Sequence, residues 1–186
     1  QSEKIVSLLT SATTQVERGY YAYVKVEFEK DTAPSQITVK GINQVDFSKK
    51  INGPKDPTCK SGDFTSSQWK DISSHTLDEN TFSPALMPIV SDKSKGSGAT
   101  ICFSKGGKYF KQTGNANGRQ PIKAKPDSSN FIVLCHKFTV STDPELKAKG
   151  CSPPVTFDDK YPTYAIVYSR FGLITKYKWK GSWINQ

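Results

Sequence analysis

A change of hydrophobic period near residue 19 constrains the fold of this chain more than any other feature. In "SEKIVSLLTSATTQV", Ile5, Leu8, Leu9, Ala12 and Val16 recur at helical spacing along one face. Ser2 is available as an N-cap and Gly19 as a stop. Nowhere else do apolar residues keep that period for three turns. In "YYAYVKVEFEK", Tyr20, Ala22, Val24, Val26 and Phe28 form one face, and Lys25, Glu27 and Glu29 lie on the other. That alternation belongs to a half-buried strand. The pattern predicts one domain over residues 1–186, with a helix over 2–17 and an all-β, antiparallel body over 20–183.

The strands continue through "ITVKGINQVDF", where Ile37, Val39, Val45 and Phe47 alternate with polar residues. Pro34-Ser35 supplies the turn that makes this segment a hairpin with the strand before it. Residues 48–75 are dense in turn chemistry and read as irregular. Weaker strand signals stand in "ALMPIV" and "ATICFS", and "KGGKYF" gives a tight turn. "QTGNANGRQP" reads as an exposed loop. "SNFIVLCHKFTV", "TYAIVYSRF" and "LITKYKWKGSW" bring the count to about eight strands. An up-and-down barrel and a β-sandwich both fit such a series.

The last of these segments mixes rings with lysines. A single-strand nucleic-acid platform needs rings and cations on the same face. In "TKYKWKGSW" alternation separates Tyr177 and Trp179 from Lys176, Lys178 and Lys180. The segment therefore reads as a barrel wall with its rings inward and its lysines in water, and nucleic acid is disfavoured as a partner.

Net charge is +9, from 26 basic and 17 acidic side chains, and it is concentrated. Between Lys93 and Lys149, 11 basic groups face three acids, Asp127, Asp143 and Glu145. Lys93, Lys95, Lys105, Lys108, Lys111, Arg119, Lys123 and Lys125 form a candidate basic patch. Such a patch attracts acidic proteins or sulfated glycans. Lysine dominates the basic residues, which argues against shaped phosphate or base recognition. No apolar run reaches the roughly 18 residues of a membrane span, so no integral membrane association is expected.

Cys59, Cys102, Cys135 and Cys151 lack metal-knuckle spacing and read as two disulfides of a secreted, extracellular protein. Three pairings are open. Cys102 with Cys135 is preferred because both lie in strand-like runs, which leaves Cys59 for Cys151. No metal or cofactor is expected.

Catalytic readings are thin. His136 shares a strand face with Ile132, Leu134 and Phe138, while His75 lies in a loop-like "DISSHTLDE". A small basic ribonuclease would need both histidines to converge on a phosphate, and the spacing gives that no support. The chain reads as a binder and not an enzyme.

Two segments carry a family resemblance. "FDDKYPTYAIVYSR" resembles the acidic turn and aromatic-alanine-aliphatic strand of lipocalins. "ERGYYAYVKVEFEKD" is similar to the helix end and first barrel strand of the lipocalins of tick saliva, with Gly19-Tyr20-Tyr21 at the place of the family's Gly-x-Trp. The resemblance implies an eight-stranded up-and-down barrel that sequesters a small amphiphilic molecule, with a monomer expected and a host-directed effector role possible in kind. Alternation then nominates Tyr20, Val24, Phe28, Val39, Leu134, His136, Phe138, Ala165, Val167, Tyr177 and Trp179 as inward, ligand-facing residues.

Overall fold

The computed structural model describes residues 2–29, 36–51, 59, 63–76, 99–107, 111–113, 131–134, 162–169 and 171–186. Helix α1 spans Ser2–Glu17, as its pattern requires, and buries Ile5, Leu9, Ala12 and Val16. Its C-terminus is closed by backbone geometry. Gly19, at φ 77°, donates its N–H to the Val16 carbonyl at 3.0 Å, and the Tyr20 N–H reaches the Gln15 carbonyl at 3.1 Å. These are the two bonds of a Schellman cap, which needs a left-handed residue that only glycine adopts without strain.

Nine strands follow among the described residues: β1 (Tyr21–Glu29), β2 (Gln36–Asn43), β3 (Lys70–Thr76), β4 (Ala99–Ser104), β5 (Lys111–Thr113), β6 (Phe131–Leu134), β7 (Tyr164–Tyr168), β8 (Ile174–Trp179) and β9 (Trp183–Asn185). They form two antiparallel sheets, ordered β3-β2-β1-β4-β5 and β6-β7-β8-β9. Among the described residues no ladder joins the two into a closed barrel. The expected up-and-down order holds in the four-stranded sheet but breaks in the other, where β4 pairs with β1 instead of β3. The residues expected as a strand at 85–90 lie outside the described residues.

One core runs through both sheets. Val24, Val26 and Phe28 of β1, Ile37 and Val39 of β2, and Ile101 and Phe103 of β4 face Ile5, Leu9, Ala12 and Val16 of α1. Leu134, Ile166 and Tyr168 of the other sheet belong to the same cluster. The sheets meet directly where the rings of Phe103 and Tyr168 stand 6.5 Å apart, edge to face. Elsewhere α1 fills the space between them.

Three local expectations need correction. First, β1 does not alternate from Tyr20. The β1–β2 register shifts between Tyr21 and Tyr23, and this bulge carries Tyr21 onto the core face and leaves Tyr20 60% exposed. The Tyr21 ring lies over Gly41 of β2, where a Cβ would collide with it. Second, residues 44–47 are not strand: Gln44–Ile51 form a second helix, α2. Asn43 caps it, accepting the Asp46 N–H on Oδ1 at 2.7 Å while its own amide donates to the Asp46 carboxylate at 2.9 Å. Third, β3 occupies part of the supposedly irregular 48–75. It is a mostly exposed edge strand, held by its ladder to β2 and carrying almost no apolar side chains to reveal it.

The cap carries a direct expectation. Asn43→Ala removes both side-chain bonds at the start of a short helix, and should lower stability by about 1 kcal/mol in chemical denaturation. Asn43→Asp, which can still accept the Asp46 N–H, should recover part of that loss.

Candidate functional site

Strand alternation divides the residues of the four-stranded sheet between two faces. In β7, Tyr164, Ile166 and Tyr168 face α1, and their cross-strand partners in β8 are Lys178, Lys176 and Ile174. Ala165 and Val167 point the other way, beside Tyr177 and Thr175. Tyr177 and Trp179 therefore lie on the face opposite the helix, whereas Lys176 and Lys178 share the helix face. This reverses the expected orientation of the tail segment. Lys176 tolerates its position by covering apolar surface with its stem and placing its ammonium on Glu3 of α1, 5.6 Å from the centre of the Tyr164 ring. Its side chain keeps only 18% of its exposure.

The opposite face is apolar and covered. Ala165 is fully buried and Val167 is 8% exposed, although α1 packs against the other side of the sheet. The row at its end runs across three strands. Thr163 precedes β7, and its carbonyl accepts the Trp179 N–H at 2.9 Å, while Trp179 pairs with Trp183 of β9. Gly181, at φ 79°, lets the chain turn between the two tryptophans, whose ring centres are 5.2 Å apart. At both ends of this row stands a buried polar atom: Thr163 Oγ1 and Trp183 Nε1 have no hydrogen-bond partner among the described residues. Burying such a group unpaired costs roughly 1–3 kcal/mol.

The nominated ligand-facing residues thus divide. Val24, Phe28, Val39 and Leu134 come together with the helix as solid core. Val167, Tyr177 and Trp179 come together on the other face of the four-stranded sheet, and Tyr20 joins neither group. His136, Phe138, Cys135 and Cys151 lie outside the described residues, as do Lys93, Lys95, Lys108, Arg119, Lys123 and Lys125. Of the basic patch, Lys105 is exposed in the turn Lys105–Gly107, and Lys111 opens β5. His75 sits within β3 opposite Ile37, not in a loop. Burial first, and the Lys4 charge second, hold its pKa below the usual histidine value. The sequence does not nominate Thr163 and Trp183, although a three-residue turn in "WKGSW" puts its two tryptophans opposite each other.

The outer face of the five-stranded sheet holds a second cluster. Tyr23, Phe47, Phe64 and Trp69 stack edge to face around Ile42 and the disulfide Cys59–Cys102. This bond overturns the preferred Cys102–Cys135 pairing. Cys102 points to the outer face of β4, into the cluster that Cys59 also joins. Beside the rings, Lys25 lies 4.4 Å from the centre of the Trp69 ring and bonds Glu27 at 2.6 Å, and Lys40 reaches the same carboxylate at 3.2 Å. Burial alone would raise the Glu27 pKa, but the Lys25 bond and the two positive charges outweigh it and hold the carboxyl below its ordinary range. An open depression of about 340 Å³ next to these charges is lined by Thr38, Lys40, Asp71, Ile72, Ser73 and Ser74. Ile72 is the one apolar side chain in that lining, and a small-molecule site is lined mostly by such side chains.

Among the described residues, no group of His, Cys, Asp and Glu is arranged to hold a metal ion, and no helix is long and apolar enough to cross a membrane. Protein-family models, curated proteins and solved structures were compared with the chain, and none matches it.

Proposed function

We propose that the protein is a secreted, non-catalytic binding protein that takes a small amphiphile on the Thr163–Trp179–Trp183 face of the four-stranded sheet. The unpartnered pair of buried polar atoms carries this reading. A small-molecule site is mostly apolar, with a few fixed polar groups that orient the ligand. Tyr177, Trp179 and Trp183, each partly exposed, supply an aromatic surface, and Ala165 and Val167 beside them are already covered. An indole N–H only donates, and a threonine hydroxyl donates or accepts. The pair therefore matches oxygen acceptors on the ligand better than an ammonium group. Two strand spacings separate the backbones of Thr163 and Trp183 by roughly 10 Å, which suits an oxygen-rich head lying across Trp179. An amphiphilic carboxylate or ester satisfies those demands. The Cys59–Cys102 disulfide supports an oxidising compartment.

The test uses Thr163→Val, which exchanges the hydroxyl for a methyl. Without ligand it should raise stability by about 1 kcal/mol, because an unbonded buried hydroxyl is removed. Titration with dodecanoate, followed by tryptophan fluorescence, should show binding to the unaltered protein and about tenfold weaker binding to the variant, as expected when a ligand hydrogen bond of about 1.4 kcal/mol is lost. A variant that is less stable, with no fluorescence response to dodecanoate in either protein, would assign the hydroxyl to the fold and remove the site.

A further inference from the structure

The strand registers define the two ends of the molecule. α1 stops where β1 begins, at Tyr21, which pairs with Asn43 at the end of β2. Tyr23 pairs with Ser104 at the end of β4, so α2 and the turn Lys105–Gly107 leave the sheet at this same end. Three contacts tie these pieces together. The Gln44 amide donates to the Gly19 carbonyl at 3.3 Å, the Gly106 N–H donates to Glu17 at 2.8 Å, and Gly172, between β7 and β8, packs close against Thr13 of α1. Four of the five large apolar side chains exposed among the described residues gather here: Tyr20 at 60%, Val45 at 62%, Phe171 at 64% and Leu173 at 70%. The fifth, Ile184, is in β9.

We propose that this end docks on an anionic lipid bilayer. Phe171 and Leu173 project from a turn in which several backbone groups bond within the turn itself. The Phe171 and Leu173 N–H groups both donate to Ser169 Oγ at 3.2 Å, the Gly172 N–H donates to the Ser169 carbonyl at 3.1 Å, and the Leu173 carbonyl accepts the Ser169 N–H at 2.9 Å. Gly172, at φ 83°, permits the tight turn. Each amide paired in this way lowers the penalty of stripping water from peptide groups in the headgroup region. Charge complementarity selects the lipid. Arg18, Lys50 and Lys105 are exposed around the tip, as is Lys49 beyond its contact with Asp46. Among the described acids at this end, Glu17 is engaged by Gly106 and Asp46 by Asn43. Apolar tips surrounded by basic groups suit an interface where rings enter the acyl boundary and cations meet anionic headgroups. This surface is separate from the Thr163–Trp183 face, and the two proposals stand independently.

Co-sedimentation with vesicles decides it. The full chain should pellet with phosphatidylcholine vesicles containing phosphatidylserine, and much less with pure phosphatidylcholine. Phe171→Ser combined with Leu173→Ser should weaken that binding at least about tenfold, with the thermal unfolding midpoint unchanged because both side chains are exposed. Arg18→Gln combined with Lys105→Gln should weaken it in low salt and make little difference in high salt. Equal pelleting with both vesicle types, or binding indifferent to the loss of both tip side chains, would overturn the proposal. Retention on heparin without any vesicle binding would overturn it as well, and would assign the cations to a polyanion.

Discussion

Leu9→Ala should lower the stability of the fold by about 3–4 kcal/mol, measured by urea unfolding. Leu9 is fully buried in the middle of α1, and its cluster contains side chains from both sheets. Truncation leaves a void bounded by strands that are already paired and cannot close on it, which places the cost in the upper part of the range for such changes. A domain typically has 5–15 kcal/mol of stability to lose. Ser7→Ala, on the exposed side of the same helix, should change little, so the pair separates packing from helix propensity. A loss for Leu9→Ala below about 1 kcal/mol would show α1 to be a loosely docked arm. The experiment also bears on function. An interior container built from Val24, Phe28, Val39 and Leu134 would have to expel the helix before admitting a ligand. Dodecanoate bound on the outer aromatic face should keep its affinity in Leu9→Ala. A gain in affinity would instead place the ligand in the newly made void.

Sequence periodicity was informative where a single face had to be buried. The stripe on α1 and the alternation of Val24, Val26 and Phe28 correspond to observed core positions, and the stop at Gly19 to the helix cap. Periodicity fails in ways with identifiable causes. Alternation states which residues share a face, but not which face meets the helix. Both faces of β7 are buried and both faces of β8 half-buried, so the grouping of Tyr177 with Trp179 was legible while their direction was not. A bulge moves every residue on one side of it by one position. What selects that bulge is Tyr21 settling on Gly41, a contact between strands that no local pattern contains. In α2, Val45 and Phe47 imitate a strand, and the competing signal was the Asn43-x-x-Asp46 cap. β3 has no apolar period because its partner strand and not its own sequence holds it in place. For the candidate site, the aromatic wall was readable from composition. The two unpaired atoms at its ends became visible only once β7, β8 and β9 were in register.

Removing the disulfide, by Cys59→Ala together with Cys102→Ala, should destabilise the protein by about 4 kcal/mol. The bond closes a loop with a sequence separation of 43, and chain-entropy loss in the unfolded state scales with the logarithm of that length. The native geometry is compatible with the bond, with Cα atoms 6.4 Å apart. Cys102 also contributes packing, since it is fully buried beside Tyr23, Ile42 and Phe64. Comparing the two chains after reduction divides the two contributions: neither then has a crosslink, and the double variant alone lacks the two sulfur atoms. The larger share should belong to the crosslink. The outer aromatic cluster should loosen with it, because Cys59 packs against the same group of side chains, and a fall in near-ultraviolet dichroism at temperatures below unfolding would report that. Peptide mapping without reduction provides the complementary check. Of the three ways to pair four cysteines, the Cys59–Cys102 bond leaves only Cys135 with Cys151. A peptide joining Cys102 to Cys135 would contradict the position of Cys102 on the outer face of β4, and with it the assignment of the two sides of that sheet.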